Sequence, residues 1–197
     1  MAPVVIVIGG TDSSGGAGIS RDVSTLTELG CEARPVVTAI TVQTDKAVHA
    51  VSAMPPDQVA QQLSSALASG PVGAIKTGML HSGETVMAIA KVLQDRADIP
   101  LIIDPVLVSS SGTELLSPDG IGSVKSQLFP LCTMATPNLP EADVMTWCQY
   151  TDRQAAALLE LGAQAVLIKG GHGTGDRSVD RLFQGERPAT TFEAPRL

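Results

Sequence analysis

A chain of 197 residues with 44% apolar and 17% charged side chains can build one sizeable core and is too apolar to stay unfolded. Its formal net charge of -7 leaves no basic surplus to offset the phosphates of a nucleic acid or an anionic membrane, and 3% aromatics provide no stacking platform for single strands. Cys31, Cys132 and Cys148 lack paired or C-x-x-C spacing and read as reduced thiols; no basic leader precedes Val4 to Ile8 and no apolar run nears the ~18 residues of a membrane span, which together point to the cytoplasm.

The first element is Val4-Val5-Ile6-Val7-Ile8, a β-branched run closed by Gly9-Gly10, the pattern of a strand covered on both faces. Ile19, Val23, Leu26 and Leu29 then recur at helical spacing over 17–29, with Gly30 where a C-cap belongs. Positions 35–42 are again apolar and β-branched. After a short segment, Pro55-Pro56-Asp57 opens a helix carrying Val59, Leu63 and Leu67. The unit repeats as strand 74–77, helix 82–93, strand 101–104, helix 118–128, strand 132–136, a helix after Pro140 and strand 165–169. Strands alternating with amphipathic helices predict an α/β fold: a doubly wound, mostly parallel sheet with helices on both faces, in a single domain over 1–197. Past Gly170 the pattern changes. Arg181-Leu182-Phe183 and Thr190-Thr191-Phe192, around Gly185-Glu186, read as a short antiparallel edge.

In such a sheet ligands bind beyond the carboxyl ends of the strands, and the polar residues gather there: Gly10-Thr11-Asp12 with Ser13 to Gly18, then Gln43, Lys76 to Met79, Asp104, Asn138 with Glu141, and Lys169-Gly170-Gly171-His172. The loop from Gly9 to Gly18 allows close approach of backbone to a ligand, but it has no Gly-Lys-Ser/Thr ending and does not match G-x-G-x-x-G. Asp12 and Ser13 equally suit a plain turn cap. Asp104, Asn138 and Glu141 form an oxygen-rich set suited to Mg²⁺ beside phosphates; the alternative is that Asn138 caps the helix and Glu141 favours its dipole. Lys169, ending a strand, suits a phosphate, and His172 reads as a loop residue. Asp176 closes the turn His172-Gly173-Thr174-Gly175-Asp176, a candidate base with an anion hole, but β-like residues rather than a helix follow it.

These pieces, Gly10-Thr11-Asp12-Ser13-Ser14-Gly15-Gly16-Ala17-Gly18-Ile19 with Asp22, Lys76-Thr77-Gly78-Met79-Leu80, Asp104-Pro105-Val106, Thr136-Pro137-Asn138-Leu139-Pro140-Glu141-Ala142 and Lys169-Gly170-Gly171-His172, resemble the hydroxymethylpyrimidine/phosphomethylpyrimidine kinases of the ribokinase superfamily. The resemblance implies a three-layer αβα fold, a homodimer, and transfer of the ATP γ-phosphate to 4-amino-5-hydroxymethyl-2-methylpyrimidine and then to its monophosphate in thiamin biosynthesis. By position it implies that Gln43 binds the pyrimidine edge, that Gly10, Ala17, Met79 and Val106 line the pocket, and that Asp22 supports the loop. Asp104 and Glu141 would handle Mg²⁺, with Asn138 and Lys169 at the nucleotide phosphates. The alternatives are a pyridoxal-type kinase of the same superfamily and a ligand-binding protein without turnover. Departures from the family are Val42-Gln43-Thr44 in place of Ala-Gln-Asn and a short stretch between Glu141 and Lys169. The family pattern also continues past a segment like Phe192 to Leu197 into a Gly-Thr-Gly-Cys turn, so the catalytic base is expected beyond Leu197. None of the three cysteines can stand in for it: Cys31 follows a helix, Cys132 begins a strand, and Cys148 is expected within a helix.

Overall fold

The computed structural model describes every residue except Met1, Asp45, Ser110, Thr174, Glu186 and Leu197. Thr174 of the candidate turn and Glu186 of the edge ribbon therefore lie outside the described residues. In chain order the elements are β1 (Val4–Gly10), α1 (Gly18–Glu28), β2 (Glu32–Gln43), β3 (Val48–Ala53), α2 (Pro56–Ala68), β4 (Ala74–Thr77), α3 (Gly83–Leu93), β5 (Leu101–Ile103), α4 (Pro118–Ser123), β6 (Met134–Ala135), α5 (Leu139–Thr146), α6 (Thr151–Glu160), β7 (Ala165–Ile168), β8 (Arg177–Phe183) and β9 (Thr190–Pro195). The strands form one nine-stranded sheet in the order β3-β2-β1-β4-β5-β6-β7-β8-β9. Pairings from β2 through β1, β4, β5 and β6 to β7 are parallel, and β3, β8 and β9 add antiparallel edges. The α/β, doubly wound architecture and the antiparallel ribbon near the C-terminus are as the sequence indicates.

The core follows from the apolar runs. Ile6 and Ile8 on β1, Ile75 on β4, Ile103 on β5 and Ile168 on β7 are fully buried against Leu63, Ile89, Phe129 and Leu158 from the helical layers. Each such side chain contributes about 1.5–3 kcal/mol by leaving water. A smaller cluster, Ala39, Met79 and Leu115 with Val51 and Val106 against it, lies apart from the main core at the strand ends.

Four expectations need correction. First, the short segment before Pro55 contains β3, which pairs antiparallel with β2, so the sheet has antiparallel strands at both ends. Second, the helix at 118–128 is regular only to Ser123; Val124–Leu128 widens to a π turn and Phe129–Leu131 tightens to 3₁₀. Gly120 and Gly122 weaken helix propensity there, and Pro130 has no N–H to donate. Third, strand 132–136 contracts to Met134–Ala135. Finally, what read as one helix after Pro140 is two. Trp147, left-handed at φ 56°, closes α5, and Cys148 lies in the connection before α6 rather than within a helix.

The crossover order reverses at β1, which lies between β2 and β4. A crevice is required where connections leave a sheet in opposite directions, and here it opens at the carboxyl ends of β1, β2 and β4. At the far side, β8 backs the end of β7. Gly170 N donates to Asp180 Oδ1 at 2.8 Å, and a Cβ at Gly170 would fall 2.0 Å from the Val179 carbonyl oxygen.

Candidate active site

The β1–α1 loop is built around a buried carboxylate. Asp12, 5% exposed, accepts from Ser14 N (2.8 Å) and Ser14 Oγ (2.7 Å) at Oδ1 and from Ala17 N (2.7 Å) at Oδ2. Burial opposes its ionisation, yet the hydrogen bonds from Ser14, Ala17 and Gly16 prevail and hold its carboxyl below the ordinary value of 3.8. Asp12 thus takes the turn-capping role. Gly18 has φ +59°, and a Cβ there would lie 2.5 Å from the Gly10 carbonyl oxygen, so the turn into α1 admits only glycine. Ser13 joins this loop to β2: its hydroxyl donates to Gln43 O at 2.7 Å and accepts from Gln43 N at 2.9 Å.

Beneath the loop is a cleft of about 410 Å³, within the range of small-molecule sites. Gly10, Ala17, Asp22, Gln43, Met79 and Val106, the residues singled out from the sequence for a ring pocket, all line it. Its apolar floor is formed by Met79, Val106 and Leu115, with Ala39 buried against them. Met79 is held by Thr38, whose hydroxyl donates to the Met79 carbonyl at 2.6 Å, and a Cβ at Gly10 would fall 2.8 Å from Met79 Sδ. Asp22 does not bond the loop. Its Oδ2 accepts from Lys76 Nζ at 2.7 Å, each side chain 25% exposed, so it ties α1 to the end of β4. Arg21, which carried no expectation, also lines the cleft. A wider depression of about 880 Å³ lies over β2 and α2 at Pro35, Ile40 and Gln62; it shares no lining residue with the cleft and lacks the loop architecture described above.

On the other side of the cleft, Asp104 follows β5 and Lys169 follows β7, and Lys169 Nζ donates to Asp104 Oδ1 at 2.7 Å. Lys169 is positioned by its backbone N–H, which donates to Pro137 O at 2.8 Å beside Asn138. Asn138 and Glu141 form a capping box on α5: Asn138 Oδ1 accepts from Glu141 N at 2.9 Å, and Glu141 Oε2 accepts from Asn138 N at 2.8 Å. The helix-cap alternative therefore describes these two side chains as they stand. Burial pushes the Glu141 carboxyl above its ordinary value, against the Asn138 hydrogen bond and the Lys169 charge, which pull it down. A second cavity of about 240 Å³, lined by Asn138, Glu141, Val144 and His172, meets the cleft at Val108 and Ser109. His172, read only as a loop residue, thus belongs to the site's surroundings. The signal available in the sequence was its position after Lys169-Gly170-Gly171.

Asp176 is exposed ahead of β8, and its carbonyl accepts from Arg196 N at 2.8 Å; it is in neither cavity lining. Burial raises the Cys132 thiol to about 12, which makes it inert as a base, and neither Cys31 nor Cys148 lines the cleft. Among the described residues no group of three or more His, Cys, Asp or Glu side chains could hold a metal unaided. Asp104 and Glu141 do offer hard oxygen donors beside a lysine. That set fits Mg²⁺ in the form that keeps several waters and takes its remaining ligands from phosphates. No helix among the described residues is long and apolar enough to cross a membrane.

A family model described as phosphomethylpyrimidine kinase matches residues 12–197. The hydroxymethylpyrimidine/phosphomethylpyrimidine kinase of Streptomyces coelicolor is 40% identical over 200 residues, covering 99% of this chain and 73% of that protein. The thiamine biosynthesis bifunctional protein ThiED of Geobacter sulfurreducens is 42% identical over 198 residues; the match covers 98% of this chain and 40% of that longer protein. Among solved structures, the phosphomethylpyrimidine kinase of Clostridium difficile 630 superposes with a TM-score of 0.85 at 34% identity, covering 96% of this chain and 84% of that one. The pyridoxal kinase of Staphylococcus aureus in complex with pyridoxal gives 0.89 at 30% identity, covering 100% and 74%.

Proposed function

The chain belongs to the phosphomethylpyrimidine kinase family, and from that premise we propose that it takes part in ATP-dependent phosphorylation of 4-amino-5-hydroxymethyl-2-methylpyrimidine and of its monophosphate, a thiamin-forming activity. The observation that carries this reading is the cleft of about 410 Å³ whose lining joins Gln43, Met79 and Val106 to the Gly10–Ala17 loop. A planar polar ring suits it: Met79 and Val106 offer apolar faces, and the Gln43 amide offers both a donor and an acceptor to the ring edge.

In this reading Lys169 and Asn138 face the nucleotide phosphates, and Asp104 and Glu141 are the residues that would hold Mg²⁺. Phosphoryl transfer needs little from the protein beyond alignment and charge neutralisation. Mg²⁺ held there would supply charge neutralisation at the transferred phosphate. Lys169 then supplies a point charge whose direction is set by Asp104, and the Asp12-centred loop keeps the ring in register with the alcohol facing that charge. We further read the enzyme as a cytoplasmic homodimer, on the resemblance alone.

The test is a calorimetric titration of this chain with hydroxymethylpyrimidine and, in parallel, with pyridoxal, followed by single-turnover phosphorylation with Mg-ATP. Tighter binding of the pyrimidine supports the proposal. Preference for pyridoxal, or no binding of either, overturns it.

A further inference from the structure

We infer that Arg21 is the residue that distinguishes the monophosphate from the free alcohol, receiving the phosphate of the half-processed pyrimidine at the wall of the substrate cleft. This deepens the reading above and rests on it. The inference starts from the charges around the cleft. Asp22 and Lys76 neutralise each other at 2.7 Å, Asp104 is matched by Lys169 at 2.7 Å, and Asp12 is engaged by the amides and hydroxyl of its own loop. Arg21 remains. It lines the same cleft, its side chain is exposed, and its guanidinium has no ion-pair or hydrogen-bond partner among the described residues.

Local stability does not account for an arginine here. A cation so near the start of α1 opposes the helix dipole, and α1 carries no acid in its first turn to answer it. A freely solvated arginine would be equally at home on the outer face of the helix, whereas this one is part of the cavity wall. Its five donors in a planar fork suit a phosphate dianion and offer nothing specific to a neutral hydroxymethyl group.

The chemistry of the second transfer creates a need for such a group. An oxygen of the pyrimidine monophosphate attacks the γ-phosphorus of ATP, the bond to the β-phosphate bridge breaks, and ADP leaves as the diphosphate forms. Nucleophile and electrophile are both anionic. A cation that holds the monophosphate screens this repulsion, which is absent when the nucleophile is an alcohol. Arg21 takes no proton in the step; it binds and orients.

The experiment is calorimetric binding of the alcohol and of the monophosphate to the chain without nucleotide, for the unsubstituted protein, Arg21→Ala and Arg21→Lys. In Arg21→Ala the preference for monophosphate over alcohol should fall on the order of tenfold to a hundredfold, the span of a charged hydrogen bond. Arg21→Lys should recover part of it, and added salt should shrink the difference. Alanine is a good helix former, so α1 should persist. An unchanged ratio, or equal weakening of both ligands, overturns this inference while leaving the proposed function standing. Failure of the unsubstituted chain to bind either compound overturns both.

Discussion

Lys169 Nζ lies 2.7 Å from Asp104 Oδ1, joining positions 65 apart in the chain and linking the ends of β7 and β5. The side chains are 37% and 24% exposed, so the pair adds at most about 1 kcal/mol to folding. Its effect is on orientation: Asp104, which lines the cleft, fixes the direction of the lysine side chain.

Lys169→Met should therefore change the free energy of unfolding by less than about 1 kcal/mol, while weakening the handling of Mg-ATP by roughly a hundredfold or more, as expected for loss of a charge aimed at the transferred group. Denaturant titration and single-turnover kinetics separate the two. A loss of several kcal/mol of stability would make the pair structural instead.

The loop from Gly10 to Gly18 gives a second pair of expectations. Gly18→Ala places a methyl group 2.5 Å from the Gly10 carbonyl at φ +59°, and should lower stability by about 1–3 kcal/mol with loss of pyrimidine affinity. Asp12 titrates lower in the folded protein than unfolded, so its contribution is present above the ordinary 3.8 and is lost as pH falls through the folded value. Affinity should drop in acid on that limb. Asp12→Asn should bind poorly already at pH 7 and show no such limb; a preserved affinity would mean the loop does not depend on the carboxylate.

Glu141 has the opposite sign. Burial raises its folded pKa above the ordinary 4.5, so its contribution is full below that value and is lost as pH rises through the folded pKa. Glutamine can fill the same capping-box position. Glu141→Gln should thus be at least as stable as the unsubstituted chain at pH 7, the difference vanishing below pH 4.5, even as Mg-ATP handling declines. Asn138→Ala, which removes the cap itself, should cost about 1 kcal/mol. Thermal unfolding across pH checks both, and a Glu141→Gln variant less stable at neutral pH would contradict the argument.

Gln43 is anchored through its backbone by Ser13, so trimming its side chain leaves the loop in place. Gln43→Ala should raise the dissociation constant for the pyrimidine roughly tenfold, near the upper range of a neutral hydrogen bond, with stability changed by about 0.5 kcal/mol or less. Calorimetry with the pyrimidine measures the first and denaturant titration the second. An unchanged affinity would remove Gln43 from the ring edge.

Much of this architecture is readable from residue pattern because buried parallel strands such as Val4 to Ile8 need long apolar runs and their helices need apolar faces. The place of the cleft is readable for a related reason: it opens at strand ends, which a strand assignment locates, while its individual lining residues come from the family resemblance. What escaped lacks that redundancy. In β3, Val48-His49-Ala50-Val51-Ser52-Ala53 has mostly exposed residues and gains its order from β2. The break at Trp147 has no glycine or proline to announce a left-handed residue, which hid both the end of α5 and the separate identity of α6. The Lys76–Asp22 and Lys169–Asp104 pairs depend on which strands are neighbours, and the spacing of charges along the chain says nothing about that.

At Gly170 the contact with Val179 O leaves no room for even a methyl group, and the adjoining residue is Lys169. The lysine's backbone is therefore geared to the strand behind it: a slip of β8 by one residue, or a larger side chain at 170, must be taken up by moving the ammonium relative to Asp104. A saturation library at position 170 should return glycine almost alone among active clones. Tolerance at this end of the sheet is thus set by backbone clearance, at a residue that lines neither cavity.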